Sequence, residues 1–321
     1  VGSRRGGDWG ILGGVKSIIL LLATALRFGG LDAQELSGDE AFSVLFSEPT
    51  PREILNGIVR GGEPHPPVYW LLLHGAMKAG GNSEFVARFP SAVASILTVV
   101  LVFALARRMF NSTVGLAAAA VVAANPFQIW YAQTARMYAL SAALAVATTL
   151  ALWTAFERDR WQHWVSYMLL TTAHAFEHYV ALFVALAQGV WALLAWWRER
   201  RRLLHFALAC LGVALLCLPW LVLVLPSLQT YYGNGDSPAL GAMLVRCLRV
   251  FSLGKTMPPT TAIPFVIAFG LLFTLGLVRA ARTDPQAAVL LALWLFLPLL
   301  GMWIASRREP VFSERYVIVA S

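Results

Sequence analysis

Residues 113–158 read TVGLAAAAVVAANPFQIWYAQTARMYALSAALAVATTLALWTAFER. Two runs of 20 residues, 113–132 and 137–156, hold no charged side chain, and Arg136 is the only charge between them. A helix of that length and apolarity matches the hydrocarbon thickness of a bilayer. Two such helices joined by four residues form a transmembrane hairpin. The surrounding sequence repeats the pattern. Further apolar runs lie at 87–107, 178–197, 204–226, 262–280 and 286–305, with weaker ones at 11–31 and 161–176 and a last one starting near Tyr316. The fold class expected is all-α: a polytopic membrane protein of about ten transmembrane helices.

Composition agrees. Of 321 residues, 58% are hydrophobic and only 13% charged, about half the charge of an ordinary soluble domain. Mean hydropathy is +0.66. The net charge of +8 does not indicate nucleic acid as a partner, because the basic residues sit in clusters at the ends of apolar runs. Cys210, Cys217 and Cys247 show no CxxC spacing, so neither a zinc framework nor a disulfide framework is expected. Arg4-Arg5 before an apolar stretch has the outline of a signal peptide, but with many spans downstream it reads as a first transmembrane helix.

The segment 68–79, VYWLLLHGAMKA, is too short to span and carries His74 and Lys78; it reads as an interfacial helix. With that segment left out of the count, Arg107-Arg108, Arg158 with Arg160, Arg198 with Arg200 to Arg202, and Arg279 with Arg282 all fall on one side. That is the cytoplasmic side by the positive-inside rule. External loops are then expected at about 32–86, 227–261 and 306–315, the second carrying Tyr231, Tyr232, Arg246, Arg249 and Lys255. No repeat or linker divides the chain, so 1–321 reads as a single membrane domain that continues beyond Ser321.

The external side collects the polar residues. Asp39-Glu40 follows the first span; the pair suits a general base beside a metal or hydrogen-bond partner, or a helix start capped by Ser37. His65 stands between Pro64 and Pro66-Pro67, which give it a defined direction and open the next helix. Arg136 is either a snorkelling side chain or a bidentate phosphate ligand. Tyr138 follows it. His174, Glu177 and His178 are spaced to share one helical face, as a metal site or a polar turn lining a cavity. Arg315 and Tyr316 close the set, with Arg315 an anchor to lipid phosphate or a ligand to substrate phosphate. Candidate metal ligands are Glu40, His65 and His178, for a divalent ion such as Mg, Mn or Zn; no cofactor is demanded.

In order along the chain, GDEAFS, HPPVYWLL, NSEFVARFPSA, ARRMFNSTVGLAAA, YAQTARMYAL and EHYVALF resemble bacterial membrane glycosyltransferases of the protein O-mannosyltransferase type (glycosyltransferase family 39 relatives). The resemblance is greatest to the branch holding lipid A aminoarabinose transferases and RgtA–D-like enzymes. It implies a GT-C fold and an inverting glycosyltransferase in the bacterial plasma (inner) membrane, acting on the external, periplasmic face. Such an enzyme moves a sugar from a polyprenyl-phosphate donor to a protein, lipid or glycan acceptor. Carried onto this sequence, Asp39 is the base and Glu40 its partner. His65, Arg136 and Arg315 hold the donor phosphate. Tyr138, His174, Glu177, His178 and Tyr316 line the substrate. Three positions depart from the family pattern: Thr134 replaces an acid, His65 replaces the lysine before the Pro-Pro pair, and Glu177-His178-Tyr179 replaces Thr-His-Tyr. The alternative class is a transporter or flippase for lipid-linked sugars. Surface chemistry is favoured over it, because the span interiors are nearly free of charge.

Overall fold

The computed structural model describes residues 5–229 and 235–321, with side chains from residue 13 onward except that of residue 259. Tyr231 and Tyr232 lie outside the described residues. The described chain is helical, with one isolated antiparallel bridge between Asp236 and Phe312. In order, the helices are α1 (Arg5–Phe28), α2 (Gly38–Ser47), α3 (Pro51–Val59), α4 (Val68–Gly80), α5 (Glu84–Met109), α6 (Ser112–Ala124), α7 (Pro126–Ala132), α8 (Tyr138–Arg158), α9 (Trp161–Ala175), α10 (Ala181–Trp196), α11 (Arg200–Gln229), α12 (Leu240–Leu253), α13 (Pro259–Thr283) and α14 (Pro285–Ala305), followed by a 3₁₀ segment at Glu314–Ala320.

Among the described residues, five helices are long and apolar enough to cross a membrane: α5, α8, α11, α13 from Thr260, and α14. The α6–α7 pair makes six if its 59° bend lies within one span. The chain is a multi-pass membrane protein. The expected count of ten is not reached by this measure: α10 is apolar but short, α1 and α9 fall outside the set, and the run after Tyr316 is 3₁₀ rather than a new α-helix. The 68–79 expectation holds in length, since α4 has 13 residues and starts directly after Pro66-Pro67. Its Tyr69, Trp70 and Leu73 are nevertheless fully buried, so α4 is part of the core beneath the site.

Two apolar cores stack along the bundle. One, under α2–α4, holds Tyr69, Trp70, Phe127, Tyr131, Tyr138 and Val317. The other, at the far end of α8, holds Trp153, Phe156, Trp164, Trp191 and Phe206. Between them α5, α6 and α8 meet through small residues such as Ser91, Ala94, Ala119, Ala139 and Ala143. In lipid, where apolar burial drives nothing between helices, such small faces let backbones approach and gain dispersion contact. Gly115 shows how close: a Cβ there would stand 2.9 Å from the Phe103 carbonyl oxygen.

The break between α6 and α7 has a definite cause. Pro126 has no N–H for the preceding turn, so the α6 carbonyls near it lose helical partners. Asn125 Oδ1 caps the new helix by accepting from Phe127 and Gln128 N–H at 2.9 and 3.0 Å. Arg27 of α1 closes the other end: its Nη1 donates to Ala123 O at 2.9 Å and its Nη2 to Val122 O at 3.0 Å. Its Nε donates to Ser95 Oγ at 2.8 Å. This guanidinium is 0% exposed, and its donors answer carbonyls that lipid cannot hydrate.

Arg27→Met keeps the length of the stem and strands those carbonyls. A loss of about 2–4 kcal/mol is expected, taking the usual cost of an unmet buried polar group. The apparent thermal midpoint of detergent-solubilised protein, followed by tryptophan fluorescence, should fall clearly; an unchanged midpoint would show that the break holds without the clasp.

Candidate active site

The site is built on one ion pair. Glu40 of α2 and Arg88 of α5 meet with both side chains buried. Glu40 Oε1 accepts from Arg88 Nε at 2.8 Å and from the Ala135 backbone N–H at 2.9 Å. Oε2 accepts from Arg88 Nη2 at 3.1 Å, and from the Ser37 N–H and hydroxyl at 3.0 Å each. The remaining Arg88 donors reach the carbonyls of Leu31, Gln34 and Glu35. Burial alone would raise the Glu40 pKa. The Arg88 hydrogen bond, the Ala135 and Ser37 amides and the Arg88 charge outweigh it and hold the carboxyl below its usual value. Both Glu40 oxygens, read from the sequence as catalytic or metal-binding, are hydrogen-bonded to Arg88, Ala135 and Ser37.

Asp39, one residue away, points elsewhere. Its side chain is 57% exposed, and Oδ2 accepts from Arg315 Nη1 at 2.6 Å. The Arg315 guanidinium lies 5.8 Å from the Tyr138 ring centre and 5.4 Å from that of Tyr316. Arg136, 6% exposed, packs over Trp70 at 5.4 Å and Tyr138 at 6.0 Å. Its backbone is gripped on both sides, by Ala135 N–H on Glu40 and by Ser91 Oγ donating to Arg136 O at 3.1 Å. Its side chain is not gripped in the same way. Nη1 makes a long 3.4 Å contact with Ser43 Oγ, Nε has no hydrogen-bond partner, and no carboxylate lies within ion-pair distance among the described residues. A buried guanidinium without an anion is costly.

The histidines complete the wall. His65 and His178 rings are 5.2 Å apart, and Tyr316 lies 6.0 Å from the first and 5.6 Å from the second. Glu63, which sequence reading passed over, turns the His65 ring: its carboxylate engages Nδ1 and also accepts the His65 backbone N–H at 3.0 Å. His178 Nδ1 accepts from Val180 N–H at 3.2 Å. That assigns the ring proton to Nε2, which has no partner. Burial, then His65, His174, Arg136 and Arg315, push the His178 pKa well below the imidazole value, so it is a neutral donor at physiological pH. His174 sits behind, bonded to Ser141 at 3.1 Å. Glu177 is fully buried, and burial pushes its carboxyl well above the usual range, with the Tyr69 amide facing it. His174 and Glu177 are both buried behind the His65–His178–Tyr316 wall.

The segment after α11 straps this wall in place. Arg246 pairs with Glu314 and Asp236, and Lys255 Nζ donates to Tyr131 OH at 2.7 Å. A divalent-metal site does not fit these residues. Both Glu40 oxygens are taken by Arg88, Ala135 and Ser37, and among the described residues no three His, Cys, Asp or Glu side chains gather to hold an ion.

Residues 64–226 match the profile of the family described as dolichyl-phosphate-mannose-protein mannosyltransferase, half of the chain. The chain belongs to this family. No curated protein sequence matches it. Among solved structures, ArnT from Cupriavidus metallidurans bound to undecaprenyl phosphate superposes with a TM-score of 0.68 at 17% identity, over 98% of this chain and 58% of that one. The Archaeoglobus fulgidus oligosaccharyltransferase in complex with zinc and sulfate gives 0.60 at 14% identity, over 95% of this chain and 48% of that one. The shared fold is GT-C, and the chain spans about half the length of these relatives.

Glu40→Gln should cost about 3–5 kcal/mol, the usual result of breaking a buried pair from one side. The pH dependence has a fixed sign. A depressed carboxyl stabilises fully above its unfolded pKa, about 4.5, and loses that contribution as pH falls through the lower folded value. The gap in thermal midpoint between wild type and Glu40→Gln should hold from neutral pH to about 5 and close below about 4.5; a gap that widens on acidification would contradict the clamp.

Proposed function

We propose that this chain carries the donor-binding and catalytic face of an inverting membrane glycosyltransferase. The donor is a sugar on a polyprenyl phosphate, and transfer takes place at the external face of a bacterial plasma membrane. The observation that carries this reading is Arg136: buried, positioned by its backbone, and lacking an anion, within one aromatic wall that also holds Arg315 and His178. Membership of the mannosyltransferase family and the fold shared with a protein solved with undecaprenyl phosphate support the same ligand class.

The chemistry follows from the leaving group. When the sugar C1–O bond breaks, the electron pair goes to the phosphate oxygen, and the carrier leaves as a phosphomonoester. Positive charge and fixed donors at that phosphate lower the barrier more than a proton would. Arg136 and Arg315 supply the charge, and the Nε2–H of neutral His178 supplies a donor. Asp39 takes the proton from the acceptor hydroxyl or amine as that atom attacks C1 from the opposite side, in one inverting displacement. The Arg315–Asp39 contact ties base and phosphate site together, so both register to one acceptor position. The acceptor itself is a protein, lipid or glycan group that meets the exposed side of Asp39.

Full-length protein in nanodiscs, given a panel of polyprenyl-phosphate sugars and acceptors, should release polyprenyl phosphate. Asp39→Asn should cut release by roughly 10²–10⁴-fold, the usual worth of a general base, with normal donor binding. Near wild-type turnover would remove Asp39 from the chemistry. Arg136→Lys should lose roughly 10²-fold, because an ammonium cannot replace the fork. Tight donor binding by the wild type without release in any combination would favour a transporter.

A further inference from the structure

A second site lies at the other end of the bundle. Helix α8 starts at Tyr138 in the donor wall and ends at Arg158 after 21 residues, a rise of about 30 Å. There α9 and α11 enclose a cavity of ≈ 520 Å³. It is not part of the machinery described above, and none of the site residues lines it.

The lining changes character with depth on both helices. At the mouth stand Arg160 and Trp161 from the start of α9, and Arg201 and His205 from the start of α11. Deeper in, α9 contributes Val165 and Met168, and α11 contributes Leu208 and Ala209. Trp161 to Met168 is about 10 Å along the helix. At the inner end Met168 lies against Gly212, its Sδ 2.3 Å from where a Cβ there would stand. Charged mouth and apolar shaft, running along α11, which is long and apolar enough to cross a bilayer, have the polarity gradient of one phospholipid.

The mouth is organised for an anion. Asp159 takes the left-handed backbone conformation, with φ of 45°, and its carboxylate is filled from the protein side. It accepts from His205 Nδ1 at 2.8 Å and Trp164 Nε1 at 3.2 Å, and contacts Arg201 Nε at 3.4 Å. This fixes one edge of the mouth and leaves the Arg201 terminal nitrogens free, on a side chain 78% exposed. Arg160 is exposed and forms no ion pair among the described residues. Arg202 is held aside against Trp196 at 4.6 Å. Basic residues at helix ends attract bulk anionic lipid in any membrane protein; an apolar groove lined by Val165, Met168 and Leu208 behind them is a further feature.

We infer that the α9–α11 cavity binds an anionic glycerophospholipid of the leaflet opposite the donor site, its phosphate between Arg160 and Arg201 and an acyl chain along Val165, Met168 and Leu208. Charge complementarity chooses this occupant over a zwitterionic lipid, and the apolar shaft chooses it over a soluble phosphate. The carrier lipid is excluded by position, because its phosphate belongs about 30 Å away.

The test uses the full chain in mixed micelles of phosphatidylglycerol and phosphatidylcholine, with retained lipid read by native mass spectrometry after exchange into neutral detergent. Wild type should retain phosphatidylglycerol in preference. Arg160→Gln with Arg201→Gln should lower that retention on the order of tenfold. Leu208→Trp, which fills the shaft and keeps both charges, should lower it as well. Arg136→Lys should leave it unchanged. Equal retention of the two lipids would overturn the site. So would loss in the charge variant but not in Leu208→Trp, which would mean surface attraction alone. Displacement by an equal concentration of glycerol phosphate would point to a soluble anion, and loss in Arg136→Lys would place the lipid at the donor wall; either result overturns the inference.

Discussion

The Glu40–Arg88 pair is the constraint from which the rest of the site is measured. It joins the first loop to the long span α5 and, through Ala135 N–H, to the turn that begins α8. Both partners are saturated with hydrogen bonds, which is the condition under which a buried ion pair is tolerable. One carboxylate thus holds two parts of the proposed site. It fixes α2, and with it the direction of Asp39, and it fixes the backbone beside Arg136. A loop of irregular backbone next to a membrane has few other ways to be rigid, because its polar groups must be met within the protein.

The same logic separates the arginines. Arg27 and Arg88 are buried with their donors answered by carbonyls and a carboxylate; they hold backbone. Arg136 is buried with its Nε unanswered, and Arg315 bonds to Asp39 beside the Tyr138 and Tyr316 rings; these are the two proposed here to take the donor phosphate. Burial does not distinguish the two groups, and neither does position at the end of a span. The distinguishing property is the list of acceptors each guanidinium already has. At the far end of the bundle Arg160 and Arg201 show that same surplus of donors at the surface, beside an apolar shaft.

The membrane class was legible from charge spacing alone, and Pro66-Pro67 marked the start of α4; the run 113–132, read as one helix, is broken at Asn125-Pro126 into α6 and α7. The site was legible in part. Asp39, His65, Arg136, Tyr138, His178, Arg315 and Tyr316 do converge. They lie far apart in sequence; threading the spans put them on one side of the membrane, and the resemblance to a family suggested what they do. The different partners of Asp39 and Glu40 were not legible, because two adjacent acids look equivalent in a sequence, while on a helix they point about 100° apart. The spacing Ser37-x-x-Glu40 is the signature of a capping box and was the available signal that Glu40 turns back on its own loop. Arg88 and Glu63 carried no such signal, since each matters only through a partner that folding brings to it.

By itself the sequence determined the solvent. Runs of some 20 uncharged residues have one stable environment, and a hydrogen-bonded helix is the one way to cross it. It also determined where those helices start, because proline and asparagine act locally on the backbone. Tertiary structure alone decided which charges are structural and which are free. That depends on whether an acceptor stands within about 3 Å, and the acceptors of Arg27, Arg88 and Arg136 come from other helices, dozens of residues away.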